Sequence, residues 1–152
     1  MSEHLLSERL AVVSVIDPDN RASSTTLGDA IDMAYHRKVI FIVATGVMQS
    51  TRTVDFVLTE SATSGGTYTQ ISGKSITQLT GVDDNKQAII NLSAEEMGEG
   101  MRYVKMSLRV GGVTGTAAND TFAIALAGRT RFSDAVTTTS YGDLASVDEI
   151  VA

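Results

Sequence analysis

The stretch Arg102-Tyr103-Val104-Lys105-Met106-Ser107-Leu108-Arg109-Val110 has the most regular alternation in the chain. Every second residue in it is apolar, and polar or amphipathic side chains lie between. Because successive side chains of a β-strand point to opposite faces, the pattern predicts a strand with one face on a core and the other in water. Similar alternation, usually with less contrast, recurs along most of the chain.

Eight further runs predict strands. The clearer ones cover residues 39–43, 53–60, 87–92 and 121–127, and the weaker ones cover residues 11–16, 30–34, 68–71 and 75–80. Residues 39–43 are apolar on both faces, which favours a central strand. In residues 121–127 we expect Phe122, Ile124 and Leu126 to point inward, with another element packed closely over the alanines between them.

Turn-forming residues separate these runs. We expect Asp17-Pro18-Asp19-Asn20 to close the first strand and Ser64-Gly65-Gly66 to separate two others, with more loops at residues 81–85 and 111–115. Ser93-Ala94-Glu95-Glu96 predicts a short N-capped turn. Eight or nine short strands at this spacing are typical of an all-β sandwich or barrel.

Composition restricts the classes of function. The 152 residues are 43% hydrophobic and 20% charged, which suits one globular domain. Cysteine is absent, so disulfides and thiolate metal sites are excluded, and we expect folding in a reducing cytoplasm. The net charge of −6 and scattered cations argue against a nucleic-acid partner, and the short apolar runs argue against a membrane span or a signal peptide.

Catalytic chemistry has few candidate residues. His4 and His36 are the only histidines, too few for a histidine-rich metal site, and His36 is expected to be structural or exposed. Ser72-Gly73-Lys74-Ser75 mimics the end of a phosphate-binding loop but lacks its first glycine and the following helix. Turn formation explains Asp83-Asp84-Asn85. We therefore expect no catalytic, cofactor-binding or metal-binding residues, no cofactor and no enzyme activity.

Several blocks together resemble a known family. The blocks are residues 10–19, 29–33, 36–43 and 72–80, then Asp83-Asp84-Asn85-Lys86-Gln87-Ala88-Ile89-Ile90-Asn91-Leu92, Glu95-Glu96 and Arg102-Tyr103-Val104-Lys105. Their order resembles the jelly-roll cement, or capsid decoration, proteins of short-tailed bacteriophages. The likeness covers roughly residues 10–130 and consists of structural patterns, so it gives no residue a catalytic role.

The resemblance implies a jelly-roll β-sandwich that stabilises an icosahedral capsid. It implies a place on the outer surface of the virion, bridging neighbouring major capsid subunits, and self-association as a homodimer or higher oligomer. The partners expected are the major capsid protein of a tailed phage and the chain itself. Such a protein is made and folded in the cytoplasm of the bacterial host.

The ends of the chain differ from its middle. We predict a single domain over 1–152, with an N-terminal arm over 1–10, a sandwich body over 11–130 and an acidic tail over 131–152. We expect each end to be either a flexible segment or a segment that docks on a partner. If the ends dock, the apolar side chains on them are the natural anchors, because exposed apolar groups are otherwise unfavourable. The predicted anchors are Leu5, Leu6, Leu10, Tyr141, Leu144 and Ile150.

Two alternatives remain open. The same fold could bind carbohydrate, or serve in a head fibre or tail, although aromatic residues make up only 5% of the chain and tryptophan is absent. An enzyme on a sandwich scaffold is the third possibility, and no residue in the sequence nominates it.

Overall fold

The computed structural model describes residues 10–112 and 119–130, which contain ten β-strands and one turn of 3₁₀ helix. The strands are β1 Leu10–Arg21, β2 Ser24–Leu27, β3 Ile31–Asp32, β4 His36–Thr45, β5 Arg52–Ser61, β6 Thr69–Ser75, β7 Leu79–Thr80, β8 Gln87–Ser93, β9 Tyr103–Gly112 and β10 Asn119–Thr130. The 3₁₀ turn is Ala94–Glu96, and Ser93 and Glu96 cap it reciprocally, as the sequence predicts. Among these residues no helix has the length or apolar character needed to cross a membrane.

The strands form two antiparallel sheets packed as a sandwich. One sheet has the order β1-β10-β4-β8 and the other has the order β2-β9-β5-β6, with β3 beside β9 and β7 beside β5. The chain crosses between the sheets six times, after β1, β3, β4, β7, β8 and β9, and the first and last strands are neighbours. In the six-stranded sheet β2 and β3 share one side of β9, and β6 and β7 share one side of β5, so each sheet has four strand positions. Two antiparallel sheets with this order form a jelly-roll sandwich, so the predicted fold class is confirmed.

The core lies between the two inner faces. Strands β5 and β9 each place every second residue there: Val54, Phe56 and Leu58 on one, and Val104, Met106, Leu108 and Val110 on the other. The opposite sheet contributes Val39, Phe41 and Val43 from β4, which is flanked on both sides as predicted for a central strand. The prediction of a half-buried strand at residues 102–110 is therefore confirmed.

The first strand is longer than predicted. Asp17-Pro18-Asp19-Asn20 does not close it, because β1 continues to Arg21 and its pairing with β10 resumes at Asp19 after a register shift. A bulge accommodates Pro18, which has no N–H to donate to the ladder. The predicted turn is therefore an irregularity inside a strand.

Two other predictions need correction. Residues 75–80 are not one strand, since β6 ends at Ser75 and only Leu79–Thr80 pairs again with β5. Strand β2 was not predicted, because Ser24-Thr25-Thr26-Leu27 is mostly polar and lies at the edge of its sheet.

The division of the chain into arms and body stays a prediction. Residues 1–9 and 131–152 lie outside the described residues. The described strands share one hydrophobic core, and Leu10, predicted to end the N-terminal arm, is the first residue of β1.

Candidate functional surface

The outer side of the β1-β10-β4-β8 sheet is lined by apolar side chains. Directly paired residues of antiparallel strands share a face, so the register defines rows across the sheet. One row crosses all four strands and is apolar throughout, comprising Val15, Ile124, Ile42 and Ile89. The next row comprises Val12, Leu126, Ile40 and Asn91.

We call this surface the apolar face and define it by Leu10, Val12, Val15, Ile40, Ile42, Ile89, Phe122, Ile124 and Leu126. All of them are partly or largely accessible, with Ile89 at 56% and Leu10 at 42% of full exposure. Neither central row contains a charged residue. A contiguous apolar surface of this kind is typical of a site that another protein covers.

A bulge in β1 keeps two valines on this side. Val12 pairs with Leu126 and Ser14 pairs with Ala125, which leaves Val13 as the extra residue. Val13 and Ser14 are both buried, so Val12 and Val15 lie on the outer face although they are three positions apart. Gly28 permits the close packing beneath, because a Cβ there would lie 2.7 Å from the hydroxyl oxygen of Ser14.

The orientation of β10 is opposite to the prediction. Ala123, Ala125 and Ala127 face the core and are almost completely buried, whereas Phe122, Ile124 and Leu126 point outward. The reason is space: the other sheet fills the interior with large side chains such as Phe56 and Met106, so β10 contributes small ones. The element packed over the alanines is therefore the opposing sheet, and the large side chains remain accessible.

The outer side of the other sheet is polar. On β9 the outward residues are Tyr103, Lys105, Ser107 and Arg109, and on β5 they include Thr53, Asp55, Val57 and Thr59. We call this surface the polar face. Here the ammonium of Lys105 lies 4.6 Å from the ring centre of Tyr68, and the guanidinium of Arg102 lies 5.3 Å from that of Tyr103. These contacts satisfy the cations within the chain.

Asp32 and Arg102 form a two-bonded ion pair at the end of the polar face. The Nε and a terminal nitrogen of Arg102 donate to the two carboxylate oxygens at 2.8 and 2.6 Å. Partial burial acts to raise the pKa of Asp32, but the hydrogen bonds from Arg102 and from the Ala34 amide outweigh it, so that pKa lies below its ordinary value. The pair ties β3 to the start of β9.

The apolar face has a depression at each end. One, of about 360 Å³, is lined by Leu10, Ile40, Leu126 and Gly128, with Lys38 and Glu96 at its border. The other, of about 580 Å³, lies around Phe122 and includes Asp19, Asn20 and Asp120. The Asn20 amide donates to Asp120 at 2.7 Å in this second depression.

Buried polar groups inside the sandwich serve the fold. His36 is 4% exposed, and burial lowers its pKa although nearby Asp32 acts to raise it, so the neutral ring is favoured. Arg52 is 1% exposed and donates to the hydroxyl of Ser23 at 2.7 Å. Lys74, from the sequence that mimics a phosphate-binding loop, lies in strand β6 and bonds the Asn91 carbonyl and Glu96.

A metal site is not formed by the part of the chain that the structure describes. Within residues 10–112 and 119–130 no three His, Asp or Glu side chains lie together as a metal ion requires. The pair Asp83-Asp84 instead supports the loops: Asp83 accepts from the amide and hydroxyl of Thr80, and Asp84 accepts from the Met48 amide at 2.6 Å. Turn formation therefore accounts for these carboxylates, as the sequence indicates.

Of the predicted anchors, only Leu10 falls within the described residues, and it lies on the apolar face. Leu5, Leu6, Tyr141, Leu144 and Ile150 lie outside them, so their role stays a prediction. Sequence reasoning did not select the apolar face as a site. The signal available was the isoleucines of β4 between core residues, together with Ile89 and the alternating large residues of β10.

Comparison with known proteins gives few likenesses. No protein-family model matches the sequence, and no curated protein matches it. A chain in the structure of infectious bursal disease virus, Gx strain, is similar over 79% of this chain and 32% of that one, with 8% identity and a TM-score of 0.45. A chain of turnip yellow mosaic virus is similar over 81% of this chain and 85% of that one, with 11% identity and a TM-score of 0.33.

This chain spans about a third of the first of these chains. At such identities and TM-scores, the jelly-roll assignment depends on the strand order of the molecule itself.

Proposed function

We propose that this chain is a structural protein of a tailed-phage virion that binds the outer surface of the icosahedral capsid and bridges neighbouring major capsid subunits. The observation that carries the proposal is the apolar face, where a row of four large apolar side chains crosses a whole sheet without a charged residue. Exposure of such a surface to water is unfavourable, so its burial against another protein would be stabilising. The family resemblance in the sequence supports the capsid as the partner.

Bridging works by avidity. A protein that holds two neighbouring subunits makes its second contact intramolecular, which raises the overall affinity by roughly 10²–10⁴ without any new kind of contact. Binding only the assembled shell then stabilises the shell by mass action. No catalytic step is needed for this role, and we propose none. A homodimer would present two identical binding surfaces at a fixed distance, in keeping with the proposed self-association.

The test uses capsid shells assembled from the major capsid protein in the absence of this chain. We expect the wild-type protein to bind them and to raise the temperature at which they come apart. The double variant Ile42→Lys with Ile124→Lys places two ammonium groups in the centre of the apolar face, on residues that pair directly across strands. It should bind the shells at least tenfold more weakly, a loss of about 1.4 kcal/mol or more.

The matched control is Val57→Lys with Ser107→Lys. These residues also pair directly across two central strands, but on the polar face. Both double variants carry the same added charge and the same repulsion between opposed lysines, so circular dichroism should show similar melting. If wild type does not bind the shells, or if the two double variants bind them equally, the proposed role of the apolar face is wrong.

The copy number in purified virions checks the position of the protein. A cement role requires copies in the hundreds, whereas about a dozen or fewer would indicate a vertex, portal or tail part. Quantitative mass spectrometry against the major capsid protein measures the ratio directly.

Carbohydrate binding remains the alternative proposal for the polar face, which gathers Tyr35, Tyr68 and Tyr103 near one end. It is less favoured, because Lys105 already lies over the ring of Tyr68 and Arg102 over that of Tyr103. Sugar rings stack on open aromatic faces. Reproducible binding on a glycan array, lost in Tyr35→Ala, would favour this alternative.

A further inference from the structure

Gly128 lies in a strand, and the described residues give no reason for a glycine there. It is in β10 and pairs with Leu10 on one side and Lys38 on the other. Positive φ does not explain it, because Gly73, Gly100 and Gly112 are the described glycines with that conformation. Close packing does not explain it either, since a Cβ at Gly128 would have no heavy atom of the described residues within 4 Å, apart from its neighbours in the chain.

Glycine in the interior of a strand has a cost. It weakens the strand by roughly 0.5–1 kcal/mol compared with a residue that has a side chain, and it often marks a point where another molecule approaches the backbone. The outward position of Gly128 follows from its neighbour Ala127, which is buried on the core side. The approach that Gly128 permits is therefore from outside the sandwich.

Gly128 opens the 360 Å³ depression at one end of the apolar face. The apolar part of its lining comes from Leu10, Val39, Ile40, Leu92 and Leu126, and none of them would come within 4 Å of a Cβ at Gly128. The volume is at the small end of the range for ligand pockets, roughly 300–1,000 Å³, which suits one or two protein side chains better than a large ligand.

The border of this depression carries an available cation. Lys38 is exposed, and none of the ion pairs between described side chains includes it, although its charge is one of the smaller causes that lower the pKa of Glu96. Glu96, also at the border, already accepts from the Lys74 ammonium at 2.7 Å and from the Ser93 amide at 2.8 Å. Two lysines and one carboxylate leave one positive charge for a partner.

We propose that this depression receives an apolar side chain adjacent to a carboxylate, presented by the protein that the apolar face binds. The inference rests on the proposed function and deepens it by naming the chemistry of the contact. The apolar side chain fills the space over Gly128 and the carboxylate pairs with Lys38. An apolar anchor in a pocket beside a charge-assisted bond is the arrangement that usually dominates the energy of an interface.

The main test fills the depression with a side chain of the protein itself, introduced at position 128. Gly128→Val adds a β-branched side chain where there is open space, so the variant should fold and melt at the same or a higher temperature. We expect its binding to capsid shells to weaken at least tenfold. Gly65→Val is the matched control, because a Cβ there also meets nothing within 4 Å and Gly65 lies in the loop between β5 and β6.

The charge is tested separately. Lys38→Gln should weaken shell binding and make the remaining binding less sensitive to salt, because the lost contact is an ion pair. Lys86→Gln is the control, since Lys86 is an exposed cation next to the start of β8, at the other end of the same sheet. Unchanged shell binding by both Gly128→Val and Lys38→Gln would overturn the inference while leaving the proposed function in place.

A second probe works without shells. In ¹H–¹⁵N spectra of the wild-type protein, N-acetyl-Leu-Asp-amide should shift the Gly128 and Ile40 amides, whereas N-acetyl-Ser-Asp-amide should not. Gly128→Val should abolish the shifts. If wild type fails to bind shells, the proposed function falls and this titration alone decides the inference: shifts at these amides support it, and their absence overturns it.

Two other occupants give distinct outcomes. If deletion of residues 1–9 strengthens binding of the leucine dipeptide, the chain's own N-terminal segment occupies the depression. If Gly128→Val dissociates a dimer in sedimentation and still binds shells as wild type does, a second copy occupies it. Either result would overturn the assignment to a different protein.

Discussion

The two outer faces of this sandwich differ although both sheets bury the same kind of interior. On the polar face, Tyr103, Lys105 and Arg109 alternate with core residues and find partners within the chain or in water. On the apolar face, Ile42 and Ile124 occupy the equivalent outward positions, and their cross-strand neighbours are also apolar. The difference shows that, among the described residues, one sheet has an outer side suited to water and the other has an outer side suited to a contact with protein.

The largest effect should come from a large side chain placed on the core side of β10, compared with a substitution on its outer side. Ala125→Leu adds a large side chain to a fully buried site and should reduce the free energy of unfolding by about 1–3 kcal/mol through overpacking. Ile124→Thr, one residue away on the apolar face, should cost less than about 1 kcal/mol. Urea denaturation of both variants measures this, and the opposite ranking would mean that the inner and outer sides are misassigned.

A smaller effect should appear in the pH dependence of the free energy of unfolding, to which the two sheets contribute in different pH ranges. His36, in the apolar-faced sheet, has a pKa below its ordinary value of 6.5 because it is buried, so the unfolded chain binds the proton more readily. Its contribution to stability is therefore complete above about pH 6.5 and is lost as the pH falls below that value. His36→Asn should flatten this part of the stability–pH curve in urea titrations.

The polar-faced sheet should respond in a more acidic range. The pKa of Asp32 is lowered in the folded protein, so its contribution is present above the ordinary value of 3.8 and is lost as the pH falls through the folded value. The pair with Arg102 is partly exposed, so screening by solvent keeps its contribution small. Asp32→Asn should thus be destabilising at pH 7 and neutral near pH 2, with exposed Asp29→Asn as the control.

The smallest effect should come from the cation over Tyr68. Lys105→Gln removes a contact at the protein surface that is worth about 0.5 kcal/mol. A double-mutant cycle with Tyr68→Leu isolates the pairwise energy by chemical denaturation. A coupling energy near zero would mean that Lys105 is available to a partner, and the contrast between the two faces would be weaker than described.

The sequence predicts the fold well because alternation alone decides it. Residues 102–110 have a single apolar side, so their strand and its buried face are both correct, and the continuous apolar run at 39–43 marks the central strand β4. Residues 121–127 are apolar on both sides, so periodicity finds strand β10 but leaves its orientation undetermined. Orientation depends on side-chain volume in the opposing sheet, which comes from distant residues such as Phe56 and Met106.

The candidate site was harder to predict for the same reason. The apolar face exists only because the register places Val15, Ile124, Ile42 and Ile89 in one row, and no local pattern specifies that register. Gly128 gives no signal in the sequence at all, since a glycine in a strand can equally mark a bulge or a bend. Its meaning depends on the empty space around it.

The bulge at Val13 has a consequence for how this protein should be compared with relatives. An extra residue there pairs with nothing, so removing it would shorten β1 while leaving Val12 opposite Leu126 and Val15 opposite Ile124. A homologue one residue shorter could therefore display the same outer surface. Any alignment that forbids a gap at this position would assign the residues before it to the wrong side of the sheet.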